Sequence, residues 1–313
     1  MLCSRRIMIM GKTVYMFPGQ GAQFIGMGKE FYDNYNVCRA VFDLASNVTG
    51  LDIPALCFEE NDKINITEYT QIAMLTVEAA IFMAMEQGQL KPDYAAGLSL
   101  GEYGALLASK ALDPADAFRV IRKRGIYMQE AVPSGGAMAA VMGMDAYDIE
   151  KVCEKTQGIV SIANYNCPGQ IVITGEQGAV EAAGEACKEA GAKRIVPLNV
   201  SGPFHSAMLE GAGEKLAAEL GNVQVRDLAI PYVSNVTADF VNDREQVKDL
   251  LVRQISSPVR WQQSVERLIA AGADEFVEIG PGRTLSSFLK KINRSVSVYH
   301  VEKPEELEAY VNR

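Results

Sequence analysis

Strand-like and helix-like segments alternate along most of this chain of 313 residues, but between residues 134 and 199 they follow a different order. Short apolar runs and helical patterns occur there in the order βαββαβ, which is typical of a ferredoxin-like, or split βαβ, unit. Pro133 and the Ser134-Gly135-Gly136 stretch after it form a natural hinge at the entry to this unit. The predicted strands are Ala137–Gly143, Gly158–Asn166, Gln170–Glu176 and Ala192–Asn199, and the predicted helices are Asp145–Lys155 and Gly178–Gly191.

Outside that unit, apolar strands are followed by amphipathic helices, which is the pattern of an α/β domain. The predicted strands are Thr13–Phe17, Pro92–Leu98, Ile230–Val236 and Glu275–Gly280. The sequence therefore predicts an α/β fold with a large domain, built around a parallel sheet from residues 1–133 and 200–313. A smaller ferredoxin-like domain, residues 134–199, is inserted between these two parts.

The composition limits the classes of function that the chain can have. Apolar residues make up 48% of it and charged residues 22%, as in an ordinary globular protein. A net charge of −9 argues against a nucleic-acid-binding protein, which needs a basic surface. The longest apolar stretch, Ile72–Met85, contains Thr76 and Glu78, so it predicts a buried helix and no membrane span. The first residues are too poor in apolar side chains for a signal peptide, so we expect a cytoplasmic protein that starts at Met1 or Met10.

The cysteines do not indicate a metal centre. None belongs to a CxxC pair, and the chain has only two histidines, so a Cys/His metal site is not expected. Free thiols in a reducing compartment are the simplest interpretation. The six cysteines are Cys3, Cys38, Cys57, Cys153, Cys167 and Cys187.

The stretch Gly97-Leu98-Ser99-Leu100-Gly101 lies between a predicted strand and a predicted helix, Leu100–Ser109. Glycines on both sides of a serine allow the sharp turn of a nucleophile elbow, which exposes the hydroxyl at the end of the strand. The free N–H groups of the helix start suit a developing oxyanion. The alternative is that Ser99 only caps the helix.

A serine nucleophile needs a base, and the chain offers only His205 and His300. His300 lies in an alternating pattern that indicates a half-exposed strand. His205 follows the inserted unit in a loop broken by Gly202-Pro203, where it is well placed to face a cleft, and we favour it. No carboxylate stands out as its partner, so a carbonyl or amide is an alternative acceptor. The nearest candidate carboxylates along the chain are those of Asp113, Asp116, Asp145 and Asp148.

Seven ordered motifs resemble one family, the malonyl-CoA:acyl carrier protein transacylases, which load malonyl groups for bacterial fatty acid synthesis. The resemblance runs from about Lys12 to near the end of the chain and implies that the large domain is α/β-hydrolase-like. The motifs are FPGQGAQFIGMG, GLSLGEYGAL, RKRGIYMQEAVPSGGAMAAVMG, IANYNCPGQIVITG, GPFHSAML, LVRQISSPVRW and VEIGPG.

The resemblance implies a catalytic role for five residues. Ser99 is then the nucleophile that carries the malonyl ester, and His205 is its general base. The main-chain carbonyl of Gln254 orients the histidine, which explains why no carboxylate is needed. The backbone N–H groups of Gln20 and Leu100 form the oxyanion hole.

Other matched residues are implied to bind the substrate. Arg124 pairs with the free carboxylate of malonate, for which a planar guanidinium is well suited. The alternative is that Arg124 is one more basic residue on a solvated surface. Phe204 favours malonyl over methylmalonyl by excluding the branch methyl, a preference of about 1–3 kcal/mol. Asn164 and Asn166, with the neighbouring Gln170, match a loop of the small domain that lines the cleft in the family, or else serve only as turn residues.

One position departs from the family pattern: Leu98 stands where many members have histidine, which puts the local polarity of the pocket in doubt.

The resemblance further implies that malonyl-CoA and acyl carrier protein are the substrates, that no cofactor or metal is bound, and that the protein is a monomer. An acidic carrier needs a basic docking face. The candidates for that face are Arg122, Lys123, Lys193, Arg194, Lys290, Lys291 and Arg294.

Three rival functions stay open from the sequence. A trans-acting malonyl acyltransferase of a polyketide pathway would have the same fold and the same Ser–His pair. A serine esterase would use His300 with a late aspartate such as Asp274. A binding module without catalysis would need Ser99 only as a helix cap.

Overall fold

The computed structural model describes residues 11–200 and 202–313. The residues outside these ranges include Cys3 and both candidate starts, Met1 and Met10. The described chain forms ten strands in two sheets. The strands are β1 Lys12–Phe17, β2 Tyr94–Gly97, β3 Gly136–Met142, β4 Val160–Cys167, β5 Gln170–Glu176, β6 Arg194–Pro197, β7 Tyr232–Val233, β8 Phe240–Val241, β9 Ala273–Ile279 and β10 Ser297–Val301.

Thirteen α-helices connect and cover these strands within the described ranges. They are α1 Lys29–Asn34, α2 Asn36–Thr49, α3 Ile53–Phe58, α4 Thr67–Gln87, α5 Glu102–Ala108, α6 Pro114–Ala131, α7 Ala146–Lys155, α8 Gln177–Glu189, α9 Glu210–Gly221, α10 Val247–Gln254, α11 Trp261–Ala270, α12 Thr284–Ile292 and α13 Pro304–Val311.

The larger sheet has the strand order β10-β9-β1-β2-β7-β8. All neighbours in it are parallel except β7 and β8, which pair antiparallel. The inner residues of β1 and β2 are buried, as expected for a parallel sheet that helices cover on both faces. The predicted parallel sheet is therefore confirmed, although the strand predicted over Ile230–Val236 is only two residues long.

The smaller sheet is antiparallel and has the order β4-β5-β3-β6. Its elements follow one another as strand, helix, strand, strand, helix, strand, in agreement with the predicted order. The predicted boundaries differ from the observed ones by only a few residues. Helices α7 and α8 pack on this sheet around their own apolar cluster, which includes Val141, Ile149, Ile173 and Ala183.

The two sheets are joined through β4. Val259, in the large-sheet part of the chain, donates its N–H to the carbonyl of Ala163 and accepts the N–H of Tyr165. This short parallel bridge places Asn164 beside the large sheet. The edge of the antiparallel sheet therefore forms one side of a cleft above the ends of the parallel strands.

Helix α4 is the predicted buried helix, and nearly all of its residues from Thr70 to Met85 are inaccessible to solvent. Along the ranges that the structure describes, no helix is both long and apolar enough to cross a membrane. Five of the cysteines lie in the described ranges, and all five are free thiols, as predicted; all five are also buried.

Candidate active site

The turn after β2 has the geometry of a nucleophile elbow. Ser99 adopts a φ of 56°, a left-handed conformation that is rare outside glycine. A Cβ on Gly97 would lie 1.9 Å from the carbonyl oxygen of Gly101, and one on Gly101 would lie 2.1 Å from that of Phe17. Both flanking positions therefore require glycine. The predicted helix behind the serine begins as a 3₁₀ turn, Ser99–Gly101, before α5 continues it.

Ser99 and His205 are in direct contact. The Oγ atom of Ser99 lies 2.7 Å from Nε2 of His205. The other ring nitrogen, Nδ1, lies 2.8 Å from the main-chain oxygen of Gln254. A carbonyl oxygen only accepts hydrogen bonds, so Nδ1 carries the proton and Nε2 is free to accept the serine hydrogen. His205 itself has a φ of 61°, so both residues of the pair are held in a strained conformation.

The environment of His205 keeps its ring neutral. Burial and, after it, the positive charge of Arg124 lower its pKa from 6.5 to about 4, against the opposing effect of the hydrogen bond to the Gln254 backbone. An imidazole that is neutral at physiological pH is available as a general base.

Arg124, on α6, is almost fully buried beside the serine. Its Nη2 donates to Ser99 Oγ at 3.1 Å and to Oε1 of Gln254 at 3.0 Å, and its Nη1 donates to Oε1 of Gln71 at 2.6 Å. Burial lowers its pKa, although guanidinium groups keep their charge in proteins. The alternative interpretation of the sequence, that Arg124 lies on a solvated basic surface, is therefore wrong.

Three polar side chains form a hydrogen-bonded cluster behind the elbow, and the sequence did not predict this cluster. Asn235, which follows β7, accepts the Ser99 N–H at 2.7 Å, and Gln254 Nε2 donates to the Ser99 carbonyl at 3.0 Å. Both residues also contact the buried carboxylate of Glu102, at the start of α5. Glu102 directly follows the GLSLG motif, and that adjacency was the only local signal available.

The cleft above Ser99 has a volume of about 170 Å³. Gln20 and Leu100 both line it next to Ser99, and the Leu100 N–H belongs to a first helical turn, where amides lack an intrahelical partner. Two candidates are placed differently from the expectation. Asn164 and Asn166 line the cleft from strand β4 and not from a loop. The lining residues are Gly19, Gln20, Gln71, Leu98, Ser99, Leu100, Arg124, Met128, Met138, Asn164, Asn166, Val172, Leu198, Val200, Phe204, His205, Thr284, Leu285 and Phe288.

Gln170 does not line the cleft; it accepts a hydrogen bond from Lys291. His300 contacts Glu306 and the carbonyl of Gly280, and the hydroxyl of Ser99 contacts His205 instead. Among residues 11–200 and 202–313, no cluster of three or more His, Cys, Asp or Glu side chains could hold a metal ion.

Two of the four aspartates that could have partnered the base have another structural role. Asp113 and Asp145 cap helices α6 and α7. The acceptor that His205 uses is the main-chain carbonyl of Gln254.

Comparison with known proteins agrees with this geometry. The chain matches the acyl transferase domain family over residues 14–305 and belongs to that family. It is 45% identical, over 96% of both chains, to the malonyl CoA-acyl carrier protein transacylase of Bacillus subtilis.

Solved structures give the same result. The malonyl CoA-acyl carrier protein transacylase of Clostridium perfringens superimposes with a TM-score of 0.93 at 43% identity, covering 96% of both chains. A malonyl-transacylase in complex with a type II PKS acyl-carrier protein has a TM-score of 0.93 at 40% identity, covering 96% of this chain and 99% of that one.

Proposed function

We propose that the protein transfers the malonyl group from malonyl-CoA to the phosphopantetheine thiol of acyl carrier protein through a malonyl ester on Ser99. One observation carries the proposal. The Ser99 hydroxyl lies 2.7 Å from a neutral histidine and 3.1 Å from a buried guanidinium, in one cleft. A nucleophile, its base and a partner for a substrate carboxylate are thereby placed together.

The first half-reaction forms the ester. Ser99 Oγ attacks the thioester carbonyl while His205 Nε2 takes the hydroxyl proton. The oxyanion of the tetrahedral intermediate is stabilised by the N–H groups of Gln20 and Leu100, and loss of one such donor typically lowers the rate by about 10²–10³. The C–S bond then breaks, and the imidazolium returns its proton to the CoA thiolate.

The second half-reaction is the reverse of the first with a new thiol. His205 takes the proton of the phosphopantetheine thiol, whose sulfur attacks the ester carbonyl. The C–O bond to Ser99 breaks, and the serine oxygen recovers the proton. The acyl group and the proton are carried by these two side chains throughout, so the proposed ping-pong cycle uses no resident cofactor or metal ion.

Two residues give the expected preference among donors. Arg124 is desolvated, so a donor with a terminal carboxylate gains a charge-assisted pair that acetyl-CoA lacks. Phe204 lies directly before the base and lines the same cleft, where its ring would overlap a methyl branch. Leu98 lines the cleft with an apolar side chain, so the polarity contributed by histidine in many family members is missing there.

The carrier is expected to dock near α12. Thr284, Leu285 and Phe288 of this helix line the cleft, whereas Lys290 and Lys291, at its other end, are exposed. Exposed positive charges suit an acidic carrier. Lys193, Arg194 and Arg294 are exposed as well. In contrast, Arg122 and Lys123 lie in ion pairs with Glu68 and Glu219, which makes them weaker candidates.

Supply of malonyl groups for fatty acid synthesis is the physiological role proposed. A polyketide role is the second candidate, because one similar structure holds the acyl-carrier protein of a type II PKS. Comparison of malonyl transfer to purified carriers of both kinds separates the two roles.

Residues 1–133 and 200–313, which contain the large sheet, are proposed to form an α/β-hydrolase-like domain. Residues 134–199 are proposed to form a ferredoxin-like domain. The strand order β4-β5-β3-β6 supports the second assignment. A monomer remains the expected oligomeric state, as the family resemblance implies. The five buried free thiols suit a cytoplasmic location.

The test is the intact mass of the protein after brief incubation with malonyl-CoA, acetyl-CoA or methylmalonyl-CoA. The wild type should gain a malonyl-sized adduct from the first donor and little from the others, and Ser99→Ala should gain none. Ser295→Ala, a change at an exposed serine on the surface, is the matched control and should be labelled like the wild type. An adduct that persists in Ser99→Ala, or labelling of the wild type by no donor, would refute the proposal.

A further inference from the structure

Ser99 is held in its left-handed conformation by side chains that come from distant parts of the chain. We propose that Glu102 and Asn235 are positioning residues for acyl transfer, which clamp the backbone of Ser99 and so aim its hydroxyl and the neighbouring Leu100 amide. The inference deepens the proposed function and rests on it, since it assigns residues that make the same elbow reactive.

Asn235 joins the end of the strand to the elbow. Its Oδ1 accepts the N–H of Ser99 at 2.7 Å, and its Nδ2 donates to the carbonyl of Gly97 at 2.6 Å. The two bonds span the peptide units around Leu98, where the chain leaves β2. The side chain of Asn235 is fully buried, so water does not compete for either group.

A second set of hydrogen bonds holds the carbonyl side of Ser99. Gln254 Nε2 donates to the carbonyl of Ser99 at 3.0 Å. The same amide donates to Oε2 of Glu102 at 2.5 Å, and that oxygen also accepts the main-chain N–H of Asn235 at 3.1 Å. One carboxylate oxygen therefore holds both residues that grip Ser99.

Backbone strain explains why a clamp is needed. A serine at positive φ is less stable than one in an ordinary conformation, and it persists only where its surroundings hold it. Without the clamp, Ser99 is expected to relax and to carry Oγ away from His205. A misplacement of about 1 Å can cost about 10²-fold in rate.

In this proposal Glu102 acts as a hydrogen-bond acceptor, and its negative charge matters less than its accepting oxygen. Burial raises its pKa to about 7, against the donors from Asn235 and Gln254 and the charge of Arg124. Around neutral pH it is therefore a mixture of both forms. The amide oxygen of a glutamine could accept the same two bonds, so Glu102→Gln should restore most of what an apolar residue removes.

The experiment compares Glu102→Gln, Glu102→Leu, Asn235→Leu and Asn235→Asp with the wild type. Thr174→Val is the matched control, because Thr174 is a fully buried hydroxyl in the antiparallel sheet, away from the elbow. The rate of malonyl-ester formation in a single turnover, the KM for malonyl-CoA and the melting temperature are measured for each. The labelling rate of Ser99 by phenylmethylsulfonyl fluoride, a neutral serine reagent, reports its orientation without any need for malonyl transfer.

Both leucine variants should form the ester about 10²-fold more slowly with KM within about threefold, because Arg124 and the cleft walls are retained. Glu102→Gln should recover to within about fivefold of the wild type. Asn235→Asp keeps the acceptor for the Ser99 N–H but loses the donor to Gly97, so its rate should lie between those of wild type and leucine. If a leucine variant fails to fold, the folded glutamine and aspartate variants decide the outcome.

Folded leucine variants that react at the wild-type rate would overturn the inference. So would losses in Glu102→Gln or Asn235→Asp as large as those in the leucine variants. If the wild type forms no malonyl ester but its serine reacts with the neutral reagent, the proposed function fails alone. The clamp is then judged by the labelling rates.

Discussion

The acidic side of the pH profile for ester formation should lie far below the ordinary pKa of histidine. The reaction needs neutral His205, whose pKa is about 4 because it is buried and lies beside a positive charge. At a pH of about 5.5, a histidine with the usual pKa is neutral in only about 9% of molecules, whereas His205 is neutral in about 97%. The rate at that pH should therefore stay close to its plateau value, whereas a serine enzyme whose histidine has the usual pKa would keep only about a tenth of its own plateau rate.

A quenched single turnover with malonyl-CoA, read by intact mass between about pH 4.5 and 8, measures this directly. A single turnover avoids the second half-reaction and the titration of the carrier thiol. Far-ultraviolet circular dichroism over the same range shows whether the protein stays folded, so that acid unfolding is not mistaken for protonation of His205. A midpoint near 6.5 in folded protein would refute the reasoning about burial.

The positive charge of Arg124 is the second cause of the low pKa of His205. Removal of that charge tests this cause separately from burial. In Arg124→Gln the charge is gone, so the pKa of His205 should rise and the midpoint for labelling by phenylmethylsulfonyl fluoride should move to higher pH. An unmoved midpoint would mean that the charge of Arg124 is not felt at the base.

Three further outcomes are expected. Gly97→Ala should lower the free energy of unfolding in urea by about 1–3 kcal/mol and slow ester formation, because its Cβ would meet the Gly101 carbonyl at 1.9 Å; wild-type values for both would contradict this. Phe204→Ala should raise the rate with methylmalonyl-CoA relative to malonyl-CoA by about tenfold in a competition assay, and an unchanged ratio would show that the ring does not select. Glu78→Gln should raise the melting temperature more at pH 8 than at pH 5. Burial and the nearby Glu278 hold the native pKa of Glu78 well above its unfolded value, so the wild type loses stability as pH rises; an equal gain at both pH values would contradict this.

Local sequence patterns were sufficient for the elbow and for most elements of the fold, although strand β8 was not predicted. The alternation of apolar strands and helices, with its change of order after Pro133, predicted both sheets because apolar periodicity reflects burial within one element. The spacing of Gly97, Ser99 and Gly101 predicted the sharp turn, since it depends on the backbone freedom of adjacent residues. With two histidines in the chain, the loop context of His205 was enough to favour it over His300 as the proposed base.

The contacts that hold the backbone of the elbow were decided only by the tertiary structure. Asn235 and Gln254 lie 136 and 155 residues from Ser99 along the chain, yet both hydrogen-bond to its backbone. Neither has a local pattern that indicates this, because which distant strand end or helix end meets the elbow depends on sheet order. Burial, which lowers the pKa of His205 and raises that of Glu102, likewise arises only when the whole chain has closed around them.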